Sequence, residues 1–191
     1  HDDTPIYLDH AATTPLDPRV LDSMLPYLRG QFGNASSQHA FGREARIAVD
    51  DARESIAACL DARPSEIVFT SGGTESDHLA LKGVIRAAPT DAGELVISAI
   101  EHHAILRAAE DIEAEGRRVV RLPVDSTGVV DLDALDGVVG PRTALVSVMT
   151  ANNEVGTLQP IREIVRIVKS RNAGTLVHTD AVQAAGLMDV R

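Results

Sequence analysis

Aromatic residues are nearly missing from this chain: they make up 3% of its 191 residues, and tryptophan is absent. A core of any size must therefore be built from Ala, Val, Ile and Leu, which suits helices packed closely on a parallel sheet. Cysteine is also scarce. Cys59 is the single one, which rules out an internal disulfide and a Cys-x-x-Cys metal pattern. No apolar run approaches the length of a membrane span. Nor is there a basic run, and the formal net charge of −10 disfavours nucleic acid and anionic membranes, which need clustered Lys and Arg. The opening His1-Asp2-Asp3-Thr4 does not read as a signal sequence, so a soluble cytoplasmic protein is expected.

What is present is an alternation of elements. Asp17-Pro18 reads as an N-cap and first helical residue, opening a helix to about Leu28. A loop over Gly30–Ser37 follows, then a long helix with an apolar stripe at Ala45, Ala48, Val49, Ala52, Ile56, Cys59 and Leu60. The stripe places Cys59 in the core as an inert packing group. Strands are expected at Glu66–Thr70, Glu94–Ala99, Arg118–Val124, Thr143–Thr150 and Thr175–Thr179. Helices are expected near Glu75–Ala88, Ala104–Glu115, Leu132–Val139 and Ile161–Arg171. This order predicts an α/β fold, a mostly parallel sheet with helices on both faces. Residues 1–30 read as an extended arm and helix, and 31–191 as part of one large domain.

In such folds ligands gather at the C-terminal ends of strands, and four polar clusters fall there. Ser71-Gly72-Gly73-Thr74-Glu75-Ser76 opens a helix, where glycines admit a ligand close to the backbone and free amides attract an anion. It equally reads as a capped strand-to-helix turn. In Glu101-His102-His103 an imidazole could stack on a flat ring or move a proton, or be a surface histidine. No third ligand pattern supports a metal. Asn152-Asn153-Glu154-Val155-Gly156 offers amide donors and acceptors, or simply a turn ending on glycine. Asp180 with Gln183 closes the segment Leu176–Gln183. Its carboxylate could hold a protonated heterocyclic nitrogen, as pyridoxal phosphate chemistry needs, or cap the next helix.

Taken with Tyr7-Leu8-Asp9-His10-Ala11-Ala12-Thr13-Thr14-Pro15 and Gly33-Asn34-Ala35-Ser36-Ser37, these motifs, in this order, resemble the cysteine desulfurases of the class V aminotransferase group, which includes the selenocysteine lyases. The resemblance implies the large domain of fold-type I pyridoxal phosphate enzymes. It assigns Gly73 and Thr74 to the cofactor phosphate, and His102 to stacking on the pyridine ring and proton transfer. Asn153 falls to the phenolic oxygen and the substrate carboxylate, Asp180 to the ring nitrogen, and Gln183 to the phenolic oxygen. It implies L-cysteine as substrate, giving L-alanine and an enzyme persulfide, and a homodimer serving a sulfur-acceptor or scaffold protein, as in iron–sulfur cluster assembly. A selenocysteine lyase, a serine or phosphoserine aminotransferase, and a non-catalytic scaffold keeping the fold are the rival readings.

The resemblance also places the anchoring lysine in a Ser-x-His-Lys pattern after Asp-x-x-Gln, with the sulfur-accepting cysteine further on. Through Arg191 the only lysines are Lys82 and Lys169, both on predicted helices away from the strand ends. The expectation is an N-terminal portion of a desulfurase that holds most of the cofactor cradle and is inactive by itself.

Overall fold

The computed structural model describes residues 5–89 and 91–190. The opening His1–Thr4, read above as no signal sequence, lies outside them. By its contacts the chain groups into two compact units, one running through Phe69 and the other Thr70–Val190.

In the first unit, helix α1 spans Pro18–Arg29, with the Asp17 side chain accepting from the Arg19 N–H at 2.8 Å as the predicted cap. Helix α2 spans Ala40–Cys59. The Gly33–Ser37 loop lies against its first turn: a Cβ on Gly42 would meet the Ser37 carbonyl oxygen at 2.2 Å, so only glycine fits there. The predicted apolar stripe is less buried than expected. Ala45, Ala48 and Val49 are half-buried, but Ala52, Ile56, Cys59 and Leu60 are exposed. Cys59 is therefore a surface thiol in this structure and not core filler. A helix of 20 residues is about 30 Å long, and this unit supplies only α1 and loops to cover it.

The second unit is a four-stranded, fully parallel sheet in the order β2-β1-β3-β4. The strands are β1 Glu94–Ser98, β2 Val119–Leu122, β3 Thr143–Ser147 and β4 Leu176–His178. Four helices connect and cover them: α3 Gly73–Ala87, α4 His103–Ala114, α5 Leu132–Val138 and α6 Ile161–Arg171. Alternation along each strand feeds two cores. Leu95 and Ile97 of β1 pack with Leu81, Ile85, Ile105 and Ile112 of α3 and α4. Val96 packs on the other face with Leu135, Ile164 and Val168 of α5 and α6. The predicted doubly covered sheet is what forms.

One expected strand does not. At Glu66–Thr70 the chain makes a 3-10 turn over Pro64–Glu66, in which the Glu66 carboxylate accepts from the Arg63 N–H at 2.8 Å. It then runs on extended but unpaired, with Val68 65% and Phe69 48% exposed. The β-propensity was real, but no strand among the described residues supplies the ladder. β2 also stops before the predicted Val124, because Pro123 has no N–H to donate. Beyond β3 the pairing continues irregularly, with the Val148 N–H donating to the His178 carbonyl and the Thr150 N–H to that of Asp180, at 3.1 and 2.9 Å.

Candidate cofactor site

From β1 the chain crosses to β2 on one side, then passes back over β1 to β3 on the other. That reversal opens a crevice at the C-terminal ends of β1 and β3, where ligands of doubly wound sheets bind. Glu101 and His102 follow β1 at this point, Asn152 and Asn153 follow β3, and Asp180 follows β4.

His102 is exposed and caps α4, its Nδ1 accepting from the Ala104 N–H at 3.2 Å. The hydrogen therefore sits on Nε2 in the neutral ring. Asp180 is half-buried, and its Oδ1 accepts from the Val182 N–H at 2.9 Å. The surface histidine of the plainer reading is thus present, with a capping role the sequence reading did not assign, whereas no helix follows Asp180 among the described residues and its contact with Val182 closes a turn. The convergence is present as well: one ligand atom each from Asp77, His102 and Asp180 lie within 4.8 Å of one another. Asp77 is only 4% exposed, and burial, reinforced by the nearby charge of Asp180, pushes its carboxyl up to about 7.

The start of α3 meets the same rim. A Cβ on Gly73 would come within 2.9 Å of Val182 Cγ2, two residues past Asp180. Gly72 leaves the helix without a side-chain cap, so its first amides face outward. The neighbouring hydroxyls divide. Ser71 donates to the Glu75 carboxylate through both N–H and Oγ, and Ser76 pairs with Thr70 at 2.7 Å. Thr74 is exposed and its side chain makes no hydrogen bond among the described residues. Of the sequence's three candidate hydroxyls, Thr74 is the one left for a ligand.

The two asparagines also separate. Asn152 builds the turn: its Oδ1 accepts from the Glu154 and Val155 N–H groups, both at 2.9 Å, and Gly156 sits at φ 76°. Its Nδ2 donates to the Ile100 carbonyl at 3.0 Å, tying the β3 loop to the β1 loop. Asn153 is half-buried and has no hydrogen bond among the described residues, and the same is true of Gln183. Among the described residues no hydrogen bond or ion pair joins Asn153 or Gln183 directly to the Asp77–His102–Asp180 cluster. Their chain neighbours are tied to the adjoining loops, Asn152 to the Ile100 carbonyl and Val182 against Gly73.

Beneath the rim, Glu101 is 5% exposed. Its Oε1 accepts from Ser98 Oγ and from the Met149 N–H, while Oε2 has no hydrogen-bond partner among the described residues. Burial dominates and pushes Glu101 up to about 7 against those two hydrogen bonds. The lysines lie elsewhere, as predicted. Lys82 pairs with Asp111 at 2.6 Å, and Lys169 donates to the carbonyls of Ala173 and Thr175.

The family model of the class-V aminotransferases matches residues 6–191. The chain belongs to that family. Among curated relatives of this class-V member is the mouse (Mus musculus) cysteine desulfurase, 50% identical over 183 residues, which covers 95% of this chain and 39% of the relative. A solved NifS-like protein superposes with a TM-score of 0.94 at 44% identity, covering 97% of this chain and 51% of the other. A second structure, of SspA in complex with cysteine, matches with a TM-score of 0.87 at 38% identity, over 93% of this chain and 51% of that one. The class-V chain thus spans about half, or less, of the length of these relatives.

Sequence reasoning missed Asp77 and His178. Asp77 was legible: it shares the buried face of α3 with Leu81 and Ile85, at spacings of four and eight. A carboxylate on an apolar stripe is the signal.

Proposed function

We propose that this chain supplies most of the cofactor cradle of a pyridoxal phosphate-dependent cysteine desulfurase. The observation carrying the reading is the meeting of His102, Asp180 and the Gly73 helix start at one switch-point rim. The residues fit the cofactor. An uncapped helix start with a free Thr74 hydroxyl suits a phosphate ester, and a half-buried carboxylate suits a protonated ring nitrogen. When bound, the cofactor supplies an electron sink for the electrons released on bond cleavage at the substrate.

The chain's residues take the following roles. Gly73 and Thr74 hold the phosphate, Gly73 because a side chain there would collide with Val182. Asp180 keeps the ring nitrogen protonated by a charge-assisted hydrogen bond. His102 would stack on the ring and, with Nε2 free of the cap, could move a proton to or from the substrate. Asn153, which its neighbour leaves unbonded, serves the phenolic oxygen and the substrate carboxylate, and Gln183 the phenolic oxygen. Cysteine loses its sulfur to an enzyme thiolate and leaves as alanine. Neither Lys82 nor Lys169 is the anchor and Cys59 is not the thiolate, so residues 1–191 alone are inactive. The reading extends to a homodimer passing sulfur to an acceptor protein.

The test is to supply the full-length gene product with L-cysteine. With an added dithiol to reduce the enzyme persulfide, alanine and sulfide in equal amounts support the reading, a keto acid product points to transamination, and no turnover with intact folding points to a scaffold.

A further inference from the structure

Asp77 comes from the second turn of α3, the helix whose start is assigned to the phosphate, yet it is buried under the rim. No hydrogen bond within the described residues satisfies it. One oxygen lies within 4.8 Å of ligand atoms of both Asp180 and His102. From β4, His178 Nε2 stands 3.8 Å from Oδ1, while its Nδ1 is fixed on Ser147 Oγ at 2.9 Å. From the loop after β1, Glu101 faces the same pair closely enough to feel the charges of Asp77 and Asp180. The titratable groups around Asp77 are therefore Asp180, His178, His102 and Glu101, two of them carboxylic acids. Burial pushes the His178 imidazole down, so it is not a standing cation there. Two buried or half-buried carboxylates so close together, with no fixed positive charge recorded against them among the described residues, are an unfavourable arrangement unless a proton or a cation arrives.

Resting on the cofactor reading above, we infer that Asp77 is a positioning residue for Asp180: a second carboxylate behind it that strengthens the hold of the site on a protonated ring nitrogen. Without the ring, Asp77 shares protons with its surroundings near neutral pH and the repulsion is relieved. With a cationic nitrogen at Asp180, an ionised Asp77 is stabilised, its proton leaves to solvent, and its charge in turn favours the protonated nitrogen. His178, held in one orientation by Ser147, faces Asp77 with Nε2 and lowers the cost of that ionised state. A helix that both grips the phosphate and carries this carboxylate couples the two ends of the cofactor.

The experiment loads the full-length gene product with pyridoxal phosphate carrying 15N in the ring and follows the nitrogen resonance with pH. Asp77→Asn should lower the midpoint of nitrogen deprotonation by about one pH unit, the size of one charge acting over several ångströms at intermediate dielectric. His178→Gln should lower it in the same direction by less. A thermal melt on each variant separates a packing role, which would move the melting temperature and leave the midpoint alone. An unchanged midpoint in folded Asp77→Asn overturns the inference, and if that variant does not fold, an unchanged midpoint in His178→Gln does so. Asp180→Ala distinguishes the two levels. If it too leaves the nitrogen as it was, the cofactor reading fails, and if it alone shifts the nitrogen, only the role of Asp77 fails.

Discussion

Glu101, three residues past β1, accepts a hydrogen bond from the backbone N–H of Met149, two residues past β3, at 2.9 Å. One carboxylate thus holds the two strand ends that frame the crevice. Burial raises its proton affinity to about 7. A carboxyl held above its unfolded value contributes stability that is complete at low pH and is lost as pH climbs through about 7. Asp77 acts in the same sense. Thermal melts should therefore show stability falling between pH 5 and 8, and Glu101→Gln, which keeps an acceptor oxygen for Met149, should flatten that slope. Glu101→Ala leaves the Met149 N–H unpaired and should cost about 1–3 kcal/mol at pH 6.

Two adjacent glycines should respond differently. An added methyl on Gly73 meets Val182 Cγ2 at 2.9 Å, whereas one on Gly72 meets nothing within 4 Å. Gly73→Ala should weaken retention of pyridoxal phosphate by about tenfold, equivalent to roughly 1.4 kcal/mol, with the far-ultraviolet spectrum unchanged. Gly72→Ala should stay within a factor of about two on the same cofactor titration, a difference of a few tenths of a kcal/mol.

The contrast between α2 and α3 shows what a sequence can and cannot carry. The period of α3 and of the four sheet strands was legible because their partners lie within the same stretch of chain, where Leu81 and Ile85 meet Leu95 and Ile97. The stripe on α2 and the β-prone Ile67–Thr70 carry the same kind of signal, but no described neighbour completes their burial. Periodicity reports a face that wants cover without saying what covers it. At the site, the residue types and spacing pointed to Thr74, His102 and Asp180. They could not divide Asn152 from Asn153 or Thr74 from Ser71 and Ser76, because that division depends on which hydrogen bonds the folded loop closes.

Cys59 gives a direct check on the α2 surface. As an exposed thiol it should react with an aromatic disulfide reagent in the native chain of residues 1–191, at a rate within about tenfold of a small free thiol. Protection until denaturant is added would show that the helix is covered in solution. Cys59→Ser should leave sulfur release by the full-length product unchanged.

The lysines give another. Borohydride reduction of the cofactor-loaded full-length product, followed by peptide mapping, should leave Lys82 and Lys169 unlabelled. Their amines are held by Asp111 and by the carbonyls of Ala173 and Thr175. Lys169→Met should lower stability by about 1 kcal/mol through the lost hydrogen bonds at the end of α6 and leave the reduced cofactor where it was.

The central claim is that turns as far apart in the chain as Gly73 and Asp180 close on one vitamin B6 phosphate ester. A crystal structure of the full-length product grown with pyridoxal phosphate tests it most directly. The account predicts the phosphate at the Gly73–Thr74 amides, the ring against His102, and its nitrogen within hydrogen-bond distance of Asp180. A cofactor bound elsewhere, or a ring nitrogen facing any group other than Asp180, would contradict it.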